Sequence, residues 1–355
     1  MDNIDFNKIK YLMLKRQHFM DRADEKEYEE MFRLMSPVHT KHWIVPGSPP
    51  VIEHRSKIND YLLNSKNRKE RKIIKGRFQG GSVGYIYAED LPLYSVAYKK
   101  KMQGLTENDE LILNTLEAEG PMNIGLLKEI TGLLAKQITP SLHKMQKAFI
   151  LFEDQVDDEW DRSWYLLEDE FESLDLNAYS RMQAFKEVIS RFTYMNVFMD
   201  ETMVKSFTKL NTKDINTAIK DMLNEEMLLK VTVNEESGFI LKDDLNEIEA
   251  IKLDIPDDVY ILDLNDYLVK SNELKLKKSF GKKPYKTLYY IMKKGEFIGA
   301  VLGYFRFGAD DLEDIELNLP ITESRKIKGK IIDELNKIYY DVPNPLKKFC
   351  GERII

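Results

Sequence analysis

Four of the five histidines lie early in the chain, at His18, His39, His42 and His54. Three of them share residues 39–55 with Trp43, Glu53 and Arg55. A neutral imidazole accepts a hydrogen bond from water and titrates near physiological pH, so His39 is a candidate base for a hydrolytic step. Trp43 has a flat face that can stack on a nucleobase or wedge beneath one, with core packing as its alternative fate. His39 and His42 could share a metal only with Glu53 or His54 as a third ligand. That spacing matches no zinc pattern, so no metal is expected. Asp263 and Asp266 sit three apart, which suits either a general-base pair or a turn cap. The lone Cys350 excludes an internal disulfide or a cysteine-based zinc cage, and Gly80-Gly81 lacks the rest of a phosphate-binding loop.

The second kind of chemistry is electrostatic. Seven of the twelve residues 66–77 are basic: Lys66, Arg68, Lys69, Arg71, Lys72, Lys75 and Arg77, opposed by Glu70 alone. With Arg55 upstream and Gln79 just after, this run reads as a nucleic-acid contact, because phosphate neutralisation dominates such binding. A solvated charged face is the alternative. A second concentration spans 270–294, where nine lysines face Glu273 alone. Within it Lys277, Lys278, Lys282 and Lys283 are candidate phosphate contacts. The chain as a whole carries a net charge of −7, but residues 1–104 hold 20 Lys/Arg against 13 Asp/Glu and the rest 33 against 47. A basic first third on an acidic remainder is the asymmetry a functional reading must explain.

These residues need elements to position them, and the clearest are in residues 106–168. Thr106 with Asp109 reads as a capping box, and Leu111, Ile112 and Leu116 follow at helical spacing up to Gly120-Pro121. A short helix over 124–130 ends at Gly132, and a third covers 136–148. Two apolar runs, 149–152 and 164–167, then flank an acidic turn, 157–162. Three helices and a hairpin make a winged helix, whose third helix reads DNA in many members. Glu153, Asp154, Asp157, Asp158, Glu159 and Asp161 make this wing acidic, which argues against phosphate contact there and for a packing or protein-docking role. Residues 200–241 repeat the order with another acidic turn, and residues 1–104 show helices, then a strand over 83–87. Helices are also expected over 4–22, 25–35, 51–63, 174–195 and 324–339. Short strands over 259–262, 288–292, 297–304 and 315–319 close the chain. The expected fold class is α+β, with tandem winged helix-turn-helix units followed by a small β-rich, barrel-like domain. The expected domains are 1–104, 105–173, 174–250 and 251–355. No apolar run is long enough for a membrane helix and the N-terminus lacks signal-peptide regions, so a cytoplasmic protein without membrane contact is expected.

Several segments together resemble one family. Gly81-Ser82-Val83-Gly84-Tyr85-Ile86-Tyr87-Ala88-Glu89-Asp90-Leu91-Pro92-Leu93-Tyr94 is similar to the Gly-Thr-Leu-His-Leu-Val-Pro-Ala-Glu-Asp-Leu-Pro-Leu-Leu stretch of the AlkZ/YcaQ-type winged-helix DNA glycosylases. Arg16-Gln17 resembles an early Arg-Gln of that family. Residues 261–268 resemble its Leu-Leu-Pro-x-x-Asp-x-Leu, and Gly295-Glu296-Phe297-Ile298-Gly299 its Gly-x-Leu-Val-Gly hairpin. The resemblance implies excision of alkylated bases, including unhooking of interstrand crosslinks, from double-stranded DNA without a metal or organic cofactor. It also implies a polar pair that helps water attack the sugar C1′. By spacing, that Gln-x-Gln or Gln-x-Asp pair falls on Pro37 and His39, and the histidine of Gly-Thr-Leu-His falls on Gly84. Only His39 of these three can move a proton. The expectation is therefore a DNA-binding protein of this superfamily that releases alkylated bases. Its rivals are a non-catalytic DNA binder or transcriptional regulator that kept the fold, and a scaffold docking a protein partner on its acidic wings. The sequence leaves the oligomeric state open.

Overall fold

The computed structural model describes residues 2–41, 47–155, 161–281, 284–306, 309–339 and 346–354. Trp43 and His42, with Asp157, Asp158 and Glu159 of the first wing and the Lys282-Lys283 pair, lie outside the described residues.

The middle unit has the expected order. Helix Glu107–Glu119 starts at the Thr106/Asp109 capping box and stops at Gly120. Strand Met122–Asn123 leads to helix Ile124–Thr131, which ends on Gly132 in the left-handed conformation (φ 72°) that glycine adopts without penalty. Helix Ala135–Lys147 is followed by strands Leu151–Asp154 and Ser163–Leu166, and the strand Met122–Asn123 pairs with the latter to complete a three-stranded wing sheet. Ile112, Leu116, Leu127, Ile138, Leu142 and Met145 close over a fully buried Trp164.

The same plan recurs on either side. In the third unit, helix Arg181–Asn196, an isolated Met199–Phe239 pairing, helices Glu201–Thr208 and Thr212–Asn224, and hairpin Leu228–Val233/Glu236–Leu241 follow in that order. In the first, helix Glu25–Met35 is followed by a Val38–Tyr85 pairing, helix Asp60–Lys69 and hairpin Ile73–Arg77/Val83–Tyr87. Here the described part of the segment where the other units place their second helix is irregular. A helix over 51–63 was the expectation; it begins only at Asp60. The preceding backbone is spoken for elsewhere, since Arg55 O accepts from Ala23 N and Lys57 N donates to Ala23 O. Asn59 caps the helix, and the Asp60 carboxylate takes Ile52 N.

The N-terminus does not stay with the first unit, as a boundary at 104 would have it. Strand Asp2–Ile4 runs parallel to Leu228–Val233, and helix Phe6–Arg16 packs its Ile9 and Leu12 with Val197, Phe198 and Ile240. The third unit is thus completed by the start of the chain.

The C-terminal domain is a meander of strands Val259–Asp263, Lys286–Lys293, Glu296–Tyr304 and Asp311–Leu317. Alternate residues face opposite sides. Ile261, Ile291 and Val301 pack against helix Ile321–Ile338, while Leu262, Tyr290 and Ala300 pack against helix Tyr267–Ser279. The described pairings form an open order of four strands, with a helix on each face, and do not close a ring. Sequence periodicity missed the helix Tyr267–Ser279, in which Lys270, Lys275, Lys277 and Lys278 reside.

The units are joined by buried charge. Arg55, with no exposed surface, donates twice to Asp266 (2.6 and 3.0 Å), lies over the Phe19 ring at 4.2 Å, and reaches Gln17 Oε1 at 3.4 Å. Arg16 makes a matching two-pronged contact to Asp244 (2.8 and 2.6 Å), and Asp90 takes both Arg33 and Arg191. Removing one partner of such a pair strands a buried charge. Arg55→Ala is therefore expected to lower the unfolding free energy by about 3–5 kcal/mol, read from urea denaturation of the full chain. A loss below about 1 kcal/mol, the range of an exposed pair, would contradict the role assigned to it.

Candidate functional site

Residues Pro37, Val38 and His39 run beside the hairpin strand Val83–Tyr87, where Val38 and Tyr85 exchange backbone hydrogen bonds of 2.8 Å. Gly84 permits this approach: a Cβ there would lie 3.0 Å from Pro37 Cβ and 3.5 Å from His39 Cε1. Pro37 and Gly84, two of the three positions where the resemblance implies polar side chains, are thus packed against one another. Any side chain at 84 would press on Pro37 and touch the His39 ring.

His39 is buried, and both ring nitrogens are engaged. Nδ1 lies 2.6 Å from Val83 O and Nε2 2.6 Å from Gln79 Oε1. A neutral imidazole has one N–H, so both neighbours cannot be acceptors. The Gln79 Nε2 is buried without a partner. Turning the Gln79 amide over removes the clash of acceptors and leaves the Gln79 carbonyl oxygen, in place of its nitrogen, without a partner. His39 then donates from Nδ1 to Val83, and Gln79 donates to its Nε2. Burial, with the charges of Lys270 and Lys209, pushes the His39 pKa below the usual imidazole value, with the Val83 carbonyl pulling the other way. The ring is a neutral, hydrogen-bonded part of the wall.

That wall belongs to a narrow crevice between the first unit and the C-terminal domain, lined by Pro37, His39, Lys41, Glu53, Asp263 and Lys270. Three contacts hold its far side in place. Asn265 donates to Thr40 O (2.9 Å), His54 Nε2 lies 3.0 Å from Ile261 O, and Asp266 caps helix Tyr267–Ser279 at Leu268 N while binding Arg55. Asp263 and Asp266 both line the crevice but differ in their partners: Asp266 is locked by Arg55, whereas Asp263 holds Asn265 N at 2.7 Å. Glu53 is ion-paired with Lys41 at the same site. Burial lowers the pKa of Lys270, with Lys209 and Lys277 adding to the effect and Glu273 opposing it. The cavity measures about 30 Å³, room for a water or two, since one water needs roughly 10–15 Å³ on this measure. Among the described residues no three His, Cys, Asp or Glu side chains are grouped to hold a metal.

The basic run 66–77 divides sharply. Arg68 and Arg71 both pair with Asp154, and Arg71 also reaches Glu170 (3.3 Å) and lies 4.5 Å over Tyr165. Lys75 and Arg77 flank the fully buried Glu153 at 3.6 and 3.8 Å, with Arg162 at 2.7 Å on its other side. Burial raises the Glu153 pKa, but these cations outweigh it and hold the carboxyl below its usual value. Glu153 and Asp154 of the middle wing thus neutralise the basic hairpin of the first unit, while the exposed Asp161 accepts from Asn123 within its own unit. This corrects two expectations. Glu153 and Asp154 are not offered to a protein partner, and Arg68, Arg71, Lys75 and Arg77 are not free for phosphate. Arg55 and Gln79 are likewise buried and committed inside the protein. Lys66, Lys69 and Lys72 are exposed, with Lys66 and Lys72 near Glu70. Lys277 pairs with Glu273, and Lys278 is exposed.

Other cations, which composition counts did not single out, approach the crevice. A Cβ on Gly80 would meet Lys209 at 3.6 Å, and one on Gly81 would meet Lys147 at 3.8 Å. The turn that carries Gln79 is therefore bracketed by lysines of the third and middle units. Only the fold brings residues 80, 147, 209 and 270 together, so no local pattern marks them.

The lowered pKa of His39 has a defined consequence for stability. Between its folded value and the unfolded value near 6.5, the unfolded chain binds more protons. Stability from this group is complete above that range and is lost as pH falls through it. The urea midpoint is expected to drop between pH 7 and pH 5, and His39→Gln is expected to flatten that part of the profile. A profile identical in the two proteins would contradict a neutral, buried His39.

No family model matches the sequence, and no curated protein matches it. A search of solved structures finds Streptomyces sahachiroi DNA glycosylase AlkZ, with a TM-score of 0.68 at 12% identity, covering 94% of this chain and 97% of that one. The correspondence covers nearly the whole of both chains, and the chain has the fold of an AlkZ-type DNA glycosylase.

Proposed function

We propose that this protein binds duplex DNA and hydrolyses the N-glycosidic bond of alkylated bases, with the water-sized crevice at Glu53 and Asp263 as the reaction site. The observation that carries the reading is the pair of carboxylates lining a buried, narrow space in a glycosylase-type fold. An N7-alkylated purine is already cationic and leaves as a neutral base. Its departure needs no general acid. It needs negative charge beside the developing oxocarbenium ion and an oriented water. Asp263 and Glu53 supply the carboxylates, one of which takes the proton that the attacking water loses, and the space admits the water but not a base. The deoxyribose C1′ must therefore meet the water at the crevice mouth.

In this proposal His39 positions rather than takes the proton. Its ring is held between Val83 and Gln79, and its neutral state avoids a positive charge next to the sugar cation. Trp43 as a wedge, together with an exposed grip by Lys66, Lys69, Lys72 and Lys278, remains part of the proposal.

A second reading has its own support. Pro37 offers no polar side chain, and both nitrogens of His39 are occupied, which suits a binder of distorted duplex that has lost the chemistry. Base release separates the two. With a duplex bearing one N7-methylguanine, hydrolysis above the spontaneous rate is expected. Asp263→Asn should lose at least about 100-fold, the scale of one electrostatic group in a transition state. His39→Ala should reduce release less, since it removes a positioning group. Tight binding without release by the unaltered protein would favour the non-catalytic reading. Release unaffected by both Asp263→Asn and Glu53→Gln would reject the carboxylate assignment.

A further inference from the structure

The linker between the first and middle units is strapped along the middle unit's third helix, Ala135–Lys147. Lys100 N donates to Lys147 O at 2.9 Å, and Lys144 Nζ binds Gly104 O at 3.1 Å and Asp109 at 2.6 Å. Between linker and helix lies an open groove of about 850 Å³, lined by Lys100, Lys101, Thr139, His143, Lys144 and Lys147. On the helix, residues 136, 139, 140, 143 and 147 follow helical spacing along one face, so Lys136 extends the same stripe. Lys99, Lys100, Lys101 and Lys147 are exposed, and among the described residues none has an ion-pair partner. The contrast with the run 66–77 is direct, because there the buried arginines and Lys75 are met by acid groups of the wing. Clustered cations without counter-charges on the protein leave the role of counter-charge to a ligand.

The groove also leads somewhere. Lys147 lies at the C-terminal end of its helix beside Gly81, and the Gln79–Gly81 turn carries the side chain that holds His39. On the other side of that turn stands Lys209, and behind it Lys270 in the crevice. The lysines therefore trace a path from the linker to the crevice mouth. Glu153 and Asp154 of the wing are paired with cations of the first unit, and the exposed Asp161 accepts from Asn123.

We infer that the middle winged helix meets duplex DNA through this linker-and-helix groove, with backbone phosphates of one strand on Lys100, Lys101 and Lys147, and not through its wing. This rests on the DNA-binding part of the reading above and specifies which surface grips. The contact is to phosphate, so it is indifferent to sequence. It places the strand so that a sugar further along reaches the crevice.

The test uses the full chain and an undamaged duplex of random sequence, with binding followed by fluorescence anisotropy across salt concentration. Each phosphate contact contributes about 0.9 to the slope of log K against log salt. Replacing Lys100, Lys101 and Lys147 by Gln together should reduce the slope by about 2.7, with weaker binding at low salt. A matched triple of exposed lysines outside every proposed contact, Lys220→Gln, Lys252→Gln and Lys326→Gln, should change it by less than about 1. A groove variant with an unchanged slope, or a matched triple with the larger effect, would overturn the inference. Circular dichroism and urea midpoints of both triples establish that they are folded. Unaltered protein that shows the groove-dependent slope but releases no base from an N7-methylguanine duplex would leave the groove standing and remove the hydrolase reading.

Discussion

The buried contact between Arg55 and Asp266 is the constraint on which the candidate site depends. An unpaired guanidinium or carboxylate in this position would be untenable, so the two must meet, and they come from residues more than two hundred apart. Their meeting pulls the irregular segment before helix Asp60–Lys69 across to the corner between strand Val259–Asp263 and helix Tyr267–Ser279. His54, Thr40 and Asn265 complete the seam. The crevice is what remains between the two sides. Asp263 and Asp266 both line it, the first holding Asn265 N and the second locked by Arg55. The irregularity of the first winged helix, which lacks a second helix among its described residues, is the means by which it reaches the C-terminal domain.

A second electrostatic device acts between the first and middle units. The acidic wing and the basic hairpin each look like a binding surface in isolation. Folded together they neutralise one another, with Glu153 at the centre of three cations. Such an arrangement fixes the orientation of two units more than it adds net stability, because desolvation opposes the Coulombic gain. It also redistributes the molecule's positive field. Arg68, Arg71, Lys75 and Arg77 of the dense basic run are spent internally, while Lys100, Lys101 and Lys147 of the linker and the middle helix remain exposed.

Much of the fold was legible before the structure. The capping box at Thr106 and Asp109, the glycine stops at 120 and 132 and the apolar spacing of Leu142 and Met145 are local signals, and local signals specify a winged helix. The segments that carry the family resemblance also had meaning, although a different one from chemistry. Arg16, Asp90, Asp266 and Glu296 are all ion-paired residues that join one part of the chain to another. Gly299 is glycine because a Cβ would lie 2.3 Å from Glu316 O on the neighbouring strand. What could not be read was pairing at a distance. Nothing around Arg68 or Lys75 announces that an acid eighty residues on will bury them. His39 reads from sequence as a candidate base, but its occupied nitrogens depend on Val83 and Gln79 across a hairpin. The lysine-rich helix Tyr267–Ser279 escaped because its apolar residues serve two neighbours, the sheet and helix Glu201–Thr208, so no single stripe emerges.

The central claim is that the crevice favours a positively charged sugar, and transition-state mimicry tests it without requiring turnover. Binding should be compared for two duplexes that differ at one abasic position, one with a neutral tetrahydrofuran and one with a cationic pyrrolidine in place of the sugar. Groups that stabilise an oxocarbenium ion bind its mimic far more tightly than a neutral analogue, commonly by about 100-fold or more. The account predicts such a preference for the cationic duplex and its loss in Asp263→Asn. Equal affinity for the two duplexes would contradict it, and would mark the protein as one that grips DNA without acting on the glycosidic bond.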